Sequence, residues 1–235
     1  MAEAVRAIDG DVDLIVTPEL CTTGYDLDGF RARGAELAEP LDGPTVALTM
    51  DLAAARRCTL VVGLLERGDG GALYDTAVVV RPDGTAAPYR KTHLYPPEYE
   101  VFTPGDQLFP VATPSGRLGP LICFEHAFPE IATTLALDGA QILAIPSAVP
   151  RGFEHVMGVR TSARAQDNQL FAIAANLTGG PFFGGSMIVD PRGERLATAG
   201  EEETVIRATL DLEEIERERE REPALSLRRP GLYRE

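Results

Sequence analysis

The chain has 235 residues, 44% hydrophobic and 25% charged, a composition typical of a folded globular protein. Its formal net charge of −14 argues against a basic face for nucleic acid, and no apolar run reaches the roughly 20 residues that span a bilayer. The first residues lack the basic start and apolar core of a signal peptide, so a cytoplasmic address is expected.

In chain order, residues 13–17 (DLIVT) form a short apolar strand that ends at Pro18-Glu19-Leu20. Helical spacing over 45–57 leads into a buried strand at 59–65. The β-rich run 73–80 turns at Pro82-Asp83-Gly84 and returns in a strand ending near Lys91, which is a hairpin pattern. Residues 118–122 are another short strand, with Cys123 at its end. Pro129 is suited to open a helix that runs through Leu137. A strand at 141–145, a helix at 153–168 and a strand at 171–175 follow. A second hairpin turns on residues 190–193, a last strand is expected at 205–210, and the alternating charges of 213–222 predict a solvated helix. No linker interrupts the chain, so one domain over residues 1–235 is expected, with two similar sheets face to face and helices outside.

Three polar residues follow apolar strands directly: Glu19, Lys91 and Cys123. A charge in that position is costly unless it is paired or reaches solvent, and the carboxyl ends of strands are where loops build ligand sites. Together they supply a thiol, a carboxylate able to take its proton, and a cation able to hold a negative oxygen. The strand-cysteine-helix pattern alone is equally compatible with a buried core cysteine. Histidine is the commoner base for a thiol, and His93, His126 and His155 stay open as alternatives on spacing alone. Cys21, Cys58 and Cys123 have neither the pairing of a disulfide framework nor the clustering of a zinc site, and Cys58 reads as a core residue.

The segments Pro18-Glu19-Leu20, Arg90-Lys91-Thr92-His93-Leu94 and Ile122-Cys123-Phe124-Glu125 resemble the three motifs of the nitrilase superfamily, the carbon-nitrogen hydrolases. The likeness continues through Thr103-Pro104-Gly105, Phe128-Pro129-Glu130, Ala163-Arg164-Ala165, Ala175-Asn176 and Arg229-Pro230-Gly231, in order along nearly the whole chain. It implies a four-layer α-β-β-α sandwich whose protomers pair into a homodimer or higher homo-oligomer. It also implies Glu19 as general base, Lys91 as oxyanion donor, Cys123 as nucleophile, the backbone N–H of Phe124 as second oxyanion donor, and Glu98 as a second glutamate at the substrate. No metal or organic cofactor is expected.

Within the superfamily, Phe124 replaces the Trp usual after the nucleophile of true nitrilases, and Phe128-Pro129-Glu130 resembles the amidase and carbamoylase branches. A small amide or carbamoyl amine is therefore the expected substrate. Glu125 and His126 fall where carbamoylases carry carboxylate-holding arginines, which disfavours a carboxylate-bearing substrate. Both are candidates for substrate binding, as is Ser147, while Arg151 and Glu154 in the loop after Ser147 are equally compatible with lining the acyl pocket and with a surface role. Only about a dozen residues precede Asp13, against a typical helix of about 11–12 residues alone, so the reading allows the first strand and helix to be lacking. Two other readings follow the same residues: a glutaminase-type module feeding ammonia to a separate synthetase, and an inactive binding protein that keeps the fold.

Overall fold

The structure is a computed structural model that describes residues 1–233. Helix α1 (Ala2–Ala7) leads to strand β1 (Leu14–Val16), α2 (Leu27–Leu37), α3 (Pro44–Arg56), and strands β2 (Thr59–Arg67), β3 (Leu73–Val80) and β4 (Ala86–Arg90). The second half runs β5 (Val111–Thr113), β6 (Gly116–Pro120), α4 (Pro129–Leu137), β7 (Ile142–Ser147), α5 (Glu154–Asn168) and β8 (Phe171–Asn176). Two-residue strands β9 (Thr178–Gly179) and β10 (Phe182–Phe183) form a small ribbon before β11 (Met187–Val189), β12 (Arg195–Thr198) and α6 (Glu213–Arg221). One sheet has the order β1-β2-β3-β4 and the other β12-β11-β8-β7-β6-β5.

Side-chain alternation explains the layers. Along β2 and β3, Val61, Ala77 and Val79 join Leu118, Ile142, Ala144 and Phe171 of the second sheet in one buried cluster. Their neighbours Leu60, Val62, Leu64, Val78 and Val80 point the other way and pack under α1 and α3 through Val5, Val46 and Leu52. On the far side, Leu143 and Ile145 of β7 pack with Ile131 and Leu135 of α4 and Met157 of α5. A period of two thus gives each sheet one face toward its mate and one toward helices. The result is the α-β-β-α sandwich.

Two expectations need correction. The first helix is present: α1 is a single short run of good helix formers, anchored by Val5 against α3. No strand precedes it among the described residues. The strand expected at 205–210 does not form; that segment is exposed or half-buried and makes no backbone–backbone hydrogen bond between residues 202 and 210. A strand needs a neighbour with a free edge, and the free edge of β1 lies across a cavity of about 1020 Å³ that both segments line. Helix α2 and strand β5 carry no expectation from the sequence.

Strand β1 pairs in parallel with β2 only. Thr59 N–H donates to Asp13 O (2.8 Å) and Thr17 N–H to Val61 O (2.9 Å). Alternation then turns the backbone groups of Leu14 and Val16 away from β2, toward the cavity.

Candidate active site

Glu19, Lys91 and Cys123 converge at one end of the sandwich. Glu19 follows β1 in a bend whose next residue, Leu20, has φ of 47°. That bend presses on β2 at Gly63: a Cβ there would lie 2.4 Å from Pro18 O and 2.5 Å from Leu20 N, so only glycine fits. Lys91 follows β4 and is held at both backbone ends, its N–H on Asp75 O (2.9 Å) and its carbonyl accepting from Gly105 N–H (2.8 Å). Cys123 opens a short 3-10 turn over Cys123–Ala127 after β6 and has φ of 45°, a strained conformation for a residue with a side chain.

The Lys91 ammonium is the hub. Its Nζ lies 2.6 Å from Glu19 Oε1, 2.7 Å from Glu98 Oε1 and 3.3 Å from Asp75 Oδ2, and all four side chains are at most 1% exposed. Burial disfavours its charge, but the carboxylates of Glu19, Asp75 and Glu98 outweigh that and hold Lys91 well above the ordinary lysine value. Burial, reinforced by the charge of Glu19, pushes the Asp75 carboxyl well up. Burial also raises Glu98, against the pull of Lys91. Glu98 further accepts from Tyr25 Oη (2.7 Å) and from Tyr95 N–H (2.7 Å). Burial pushes the Tyr25 hydroxyl up, keeping it a donor.

Glu19, Asp75 and Glu98 bring carboxylate oxygens within 4.8 Å of one another, a spacing that could ligate a metal. Here the Lys91 ammonium donates to Glu19 and Glu98 and lies 3.3 Å from Asp75 Oδ2, whose carboxyl oxygens have no hydrogen-bond partner, so it supplies the counter-charge itself. Burial pushes the Cys123 thiol well up, and the negative charge of Glu19 adds to this; Lys91 and the Ala148 backbone amide pull it back. The thiol is therefore protonated at rest, beside a carboxylate whose second oxygen, Oε2, accepts no hydrogen bond from the protein.

The remaining candidates divide. Phe124, His126 and Glu98 line the same pocket of about 550 Å³ as Cys123. Phe124 lies in the first turn of its short helix, where an N–H has no intrahelical acceptor. Glu125 does not line the pocket. It is fully buried and accepts from Tyr89 Oη (2.8 Å), Thr92 Oγ1 (2.6 Å), the Thr92 and His93 amides (2.8 and 3.3 Å) and Ile122 N–H (2.6 Å). Its carboxylate ties the Lys91 segment to the cysteine turn, which is a positioning role and not substrate contact. Ser147 is likewise buried and spends its hydroxyl on Ile145 O (3.2 Å). Arg151 pairs with Glu201, and Glu154 accepts from Gly152 N–H; neither lines the pocket.

Among the histidines, His93 shares a hydrogen bond with Thr92 Oγ1 (2.8 Å) and packs on Phe128, while His155 is exposed. Burial first, then the charges of Arg160, Arg164 and Lys91, depress His126 to about 3, so it is neutral. Two residues went unread in the sequence. Asp75 is placed by alternation on the same inward face of β3 as Ala77 and Val79, a carboxylate at a core position, and that pattern could have revealed it. Tyr25 lies in a loop and gives no local signal.

A family model described as carbon-nitrogen hydrolase matches residues 1–220. An (R)-stereoselective amidase from a Pseudomonas species is 37% identical over 217 residues, covering 90% of this chain and 78% of the relative. The crystal structure of a carbon-nitrogen hydrolase from Helicobacter pylori G27 superposes with a TM-score of 0.90 at 31% identity, covering 94% of this chain and 85% of that one. A Glu-to-Gln variant of the amidase from Nesterenkonia sp. AN1 superposes with a TM-score of 0.80 at 27% identity, over 94% of this chain and 82% of that one. That structure shows the acetamide moiety of fluoroacetamide covalently added to its active-site cysteine.

Proposed function

The chain belongs to the carbon-nitrogen hydrolase family of the nitrilase superfamily, and on that premise we propose that it hydrolyses a small amide or carbamoyl amine through a thioester on Cys123. The observation that carries this reading is the buried convergence of Glu19 and Lys91 (2.6 Å) beside the strained Cys123 turn. The covalent adduct on the cysteine of the Nesterenkonia amidase supports it from outside.

The chemistry follows from the charges. The resting thiol passes its proton to Glu19 as its sulfur attacks the amide carbon, and the carbonyl oxygen becomes an oxyanion held by Lys91 Nζ and the Phe124 N–H. Glu19 returns the proton to the leaving nitrogen, which departs as ammonia or an amine. A water, deprotonated by Glu19, then attacks the thioester; the acid leaves and the thiol is reprotonated. Glu98, shared between Lys91 and Tyr25, orients Lys91 and faces the substrate. Asp75 steadies the far side of the ammonium.

Assembly into a homodimer or higher homo-oligomer belongs to the same reading. Leu137 on α4 and Val159 on α5 are 52% and 51% exposed on the outer helix layer, apolar surface that helix-to-helix pairing would cover. A cytoplasmic address is kept as part of the proposal.

The direct test is ammonia release across aliphatic amides, carbamoyl amines and nitriles. Amides or carbamoyl amines should be turned over, and Cys123→Ala should lose all activity with an unchanged circular dichroism spectrum. Retained activity in that variant overturns the proposal.

A further inference from the structure

Of the three carboxyl groups around Lys91, that of Asp75 alone accepts no hydrogen bond among the described residues. It is held rigidly on the inner strand β3, registered opposite Leu65 of β2, with its backbone carbonyl accepting from Lys91 N–H (2.9 Å). Both carboxyl oxygens are buried and without a partner. The one cation in reach is Lys91 Nζ, 3.3 Å away, and it donates to Glu19 and Glu98 instead.

The charges of the cluster do not balance if every carboxyl is ionised. Three buried negative charges would then face one positive. Glu98 has the surroundings of a carboxylate, accepting from Lys91, Tyr25 Oη and Tyr95 N–H. Glu19 Oε1 accepts from Lys91, while its Oε2 has no partner. Asp75 has no donor at all, which makes it the costliest of the three to keep charged. A proton there removes the charge and turns one carboxyl oxygen into a donor. An acceptor is at hand, because Glu19 and Asp75 bring carboxyl oxygens within 4.8 Å of each other. Neither group can donate to the other while both are ionised; with one proton between them, they can. Burial first, then the charge of Glu19 and a bond shared with it, push the Asp75 carboxyl up against the pull of Lys91, in the same direction.

We propose that Asp75 is a neutral carboxylic acid in the resting enzyme and donates its proton to the Glu19 carboxylate, which makes it a positioning residue for the general base. The bond fixes Glu19 from the β3 side while leaving it ionised and able to take the thiol proton. An ionised Asp75 would instead add a third negative charge around the ammonium that must hold the oxyanion, and so weaken that donor. The kinetic consequence rests on the amide-hydrolase reading above; the proton on Asp75 does not.

Infrared spectroscopy of the substrate-free enzyme at neutral pH, with isotope-labelled aspartate, reads that proton directly. The C=O band of an un-ionised aspartic acid should be present in the wild type, shift with the label and vanish in Asp75→Asn. Absence of the band, survival of the band in Asp75→Asn, or a band that moves only with labelled glutamate overturns the proposal. Amide turnover then reads the role. Asp75→Ala removes the donor and should lower kcat about 10–100-fold with little change in KM. Asp75→Asn keeps a neutral donor of the same size and should exceed Asp75→Ala by about 10-fold or more in kcat. Equal losses in the two variants would mark Asp75 as a charged counter-ion of Lys91 and contradict its neutrality. A wild type that turns over no amide counts against the hydrolase reading alone, since the infrared band is measured without substrate.

Discussion

Strand β1 has two surroundings that could hardly differ more. At its carboxyl end, Glu19 enters a site in which Lys91, Glu98, Asp75, Tyr25 and Tyr95 answer one another within hydrogen-bonding reach. Along its flank, the backbone groups of Leu14 and Val16 face a cavity of about 1020 Å³, and the segment opposite makes no backbone–backbone bond between residues 202 and 210. The larger cavity thus lies away from the chemistry, and the smaller one, about 550 Å³, holds Cys123. The lesson is that the site is braced from β2, β3 and β4, through Gly63, Asp75 and the Lys91 backbone, and not from the open side of β1. Cost and order are concentrated where charges must be held; the flank is left to a single partner strand.

The sharpest way to break the contrast is at its charged end. Lys91→Met keeps the length of the side chain but leaves Glu19, Asp75 and Glu98 buried without their cation. Removing one partner of a buried charge cluster costs about 3–5 kcal/mol, and loss of the oxyanion donor should lower kcat by about 10²–10³-fold. Denaturant titration and steady-state kinetics measure the two separately. The sign with pH follows from the raised value of Lys91. Its stabilising contribution is full below the ordinary lysine value of 10.5 and is lost as pH climbs through the higher folded value. The wild type should therefore keep this contribution at neutral pH and lose it only in strong alkali, and Lys91→Met should lack that alkaline loss.

A smaller effect is expected from Gly63→Ala, which touches no reacting group. The added Cβ would push on Pro18 O and Leu20 N and so displace the Glu19 bend. Overpacking of this kind costs about 1–3 kcal/mol, and kcat/KM should fall about 10-fold because misplacement of a catalytic group by even a fraction of an ångström is felt. A variant as active and as stable as the wild type would show that the bend is not braced from β2.

The mildest test reads the flank directly. By hydrogen exchange followed by NMR, the amides of Leu14 and Val16 should exchange at least about 100-fold faster than that of Val61 in the same sheet. Equal protection would mean that the flank of β1 is closed in solution.

How much of this was legible in the sequence follows the same divide. Glu19, Lys91 and Cys123 stand out because each follows an apolar strand at its end. That local signal left Cys123 equally compatible with a core residue and the base open among the histidines; their roles were implied only by the ordered likeness of the motifs around them. The sandwich was legible more directly, because strand alternation in residues such as Leu60, Val61 and Val62 is local. Glu125 was misread because the spacing after a nucleophile suggests substrate contact, and only the folded positions of Tyr89, Thr92 and Ile122 show that it staples two segments together. The strand expected at 205–210 failed because alternation reports a preference for pairing, while pairing itself depends on what lies across the gap.

The central claim is that Cys123 forms the acyl-enzyme. Intact-mass and peptide mass spectrometry of the wild type quenched during turnover of an amide, alongside Glu19→Gln treated with fluoroacetamide, tests it most directly. A mass gain equal to the acyl or acetamide group, confined to the peptide that carries Cys123, is the expected result; turnover without any such adduct, or an adduct on Cys21 or Cys58 instead, would contradict it.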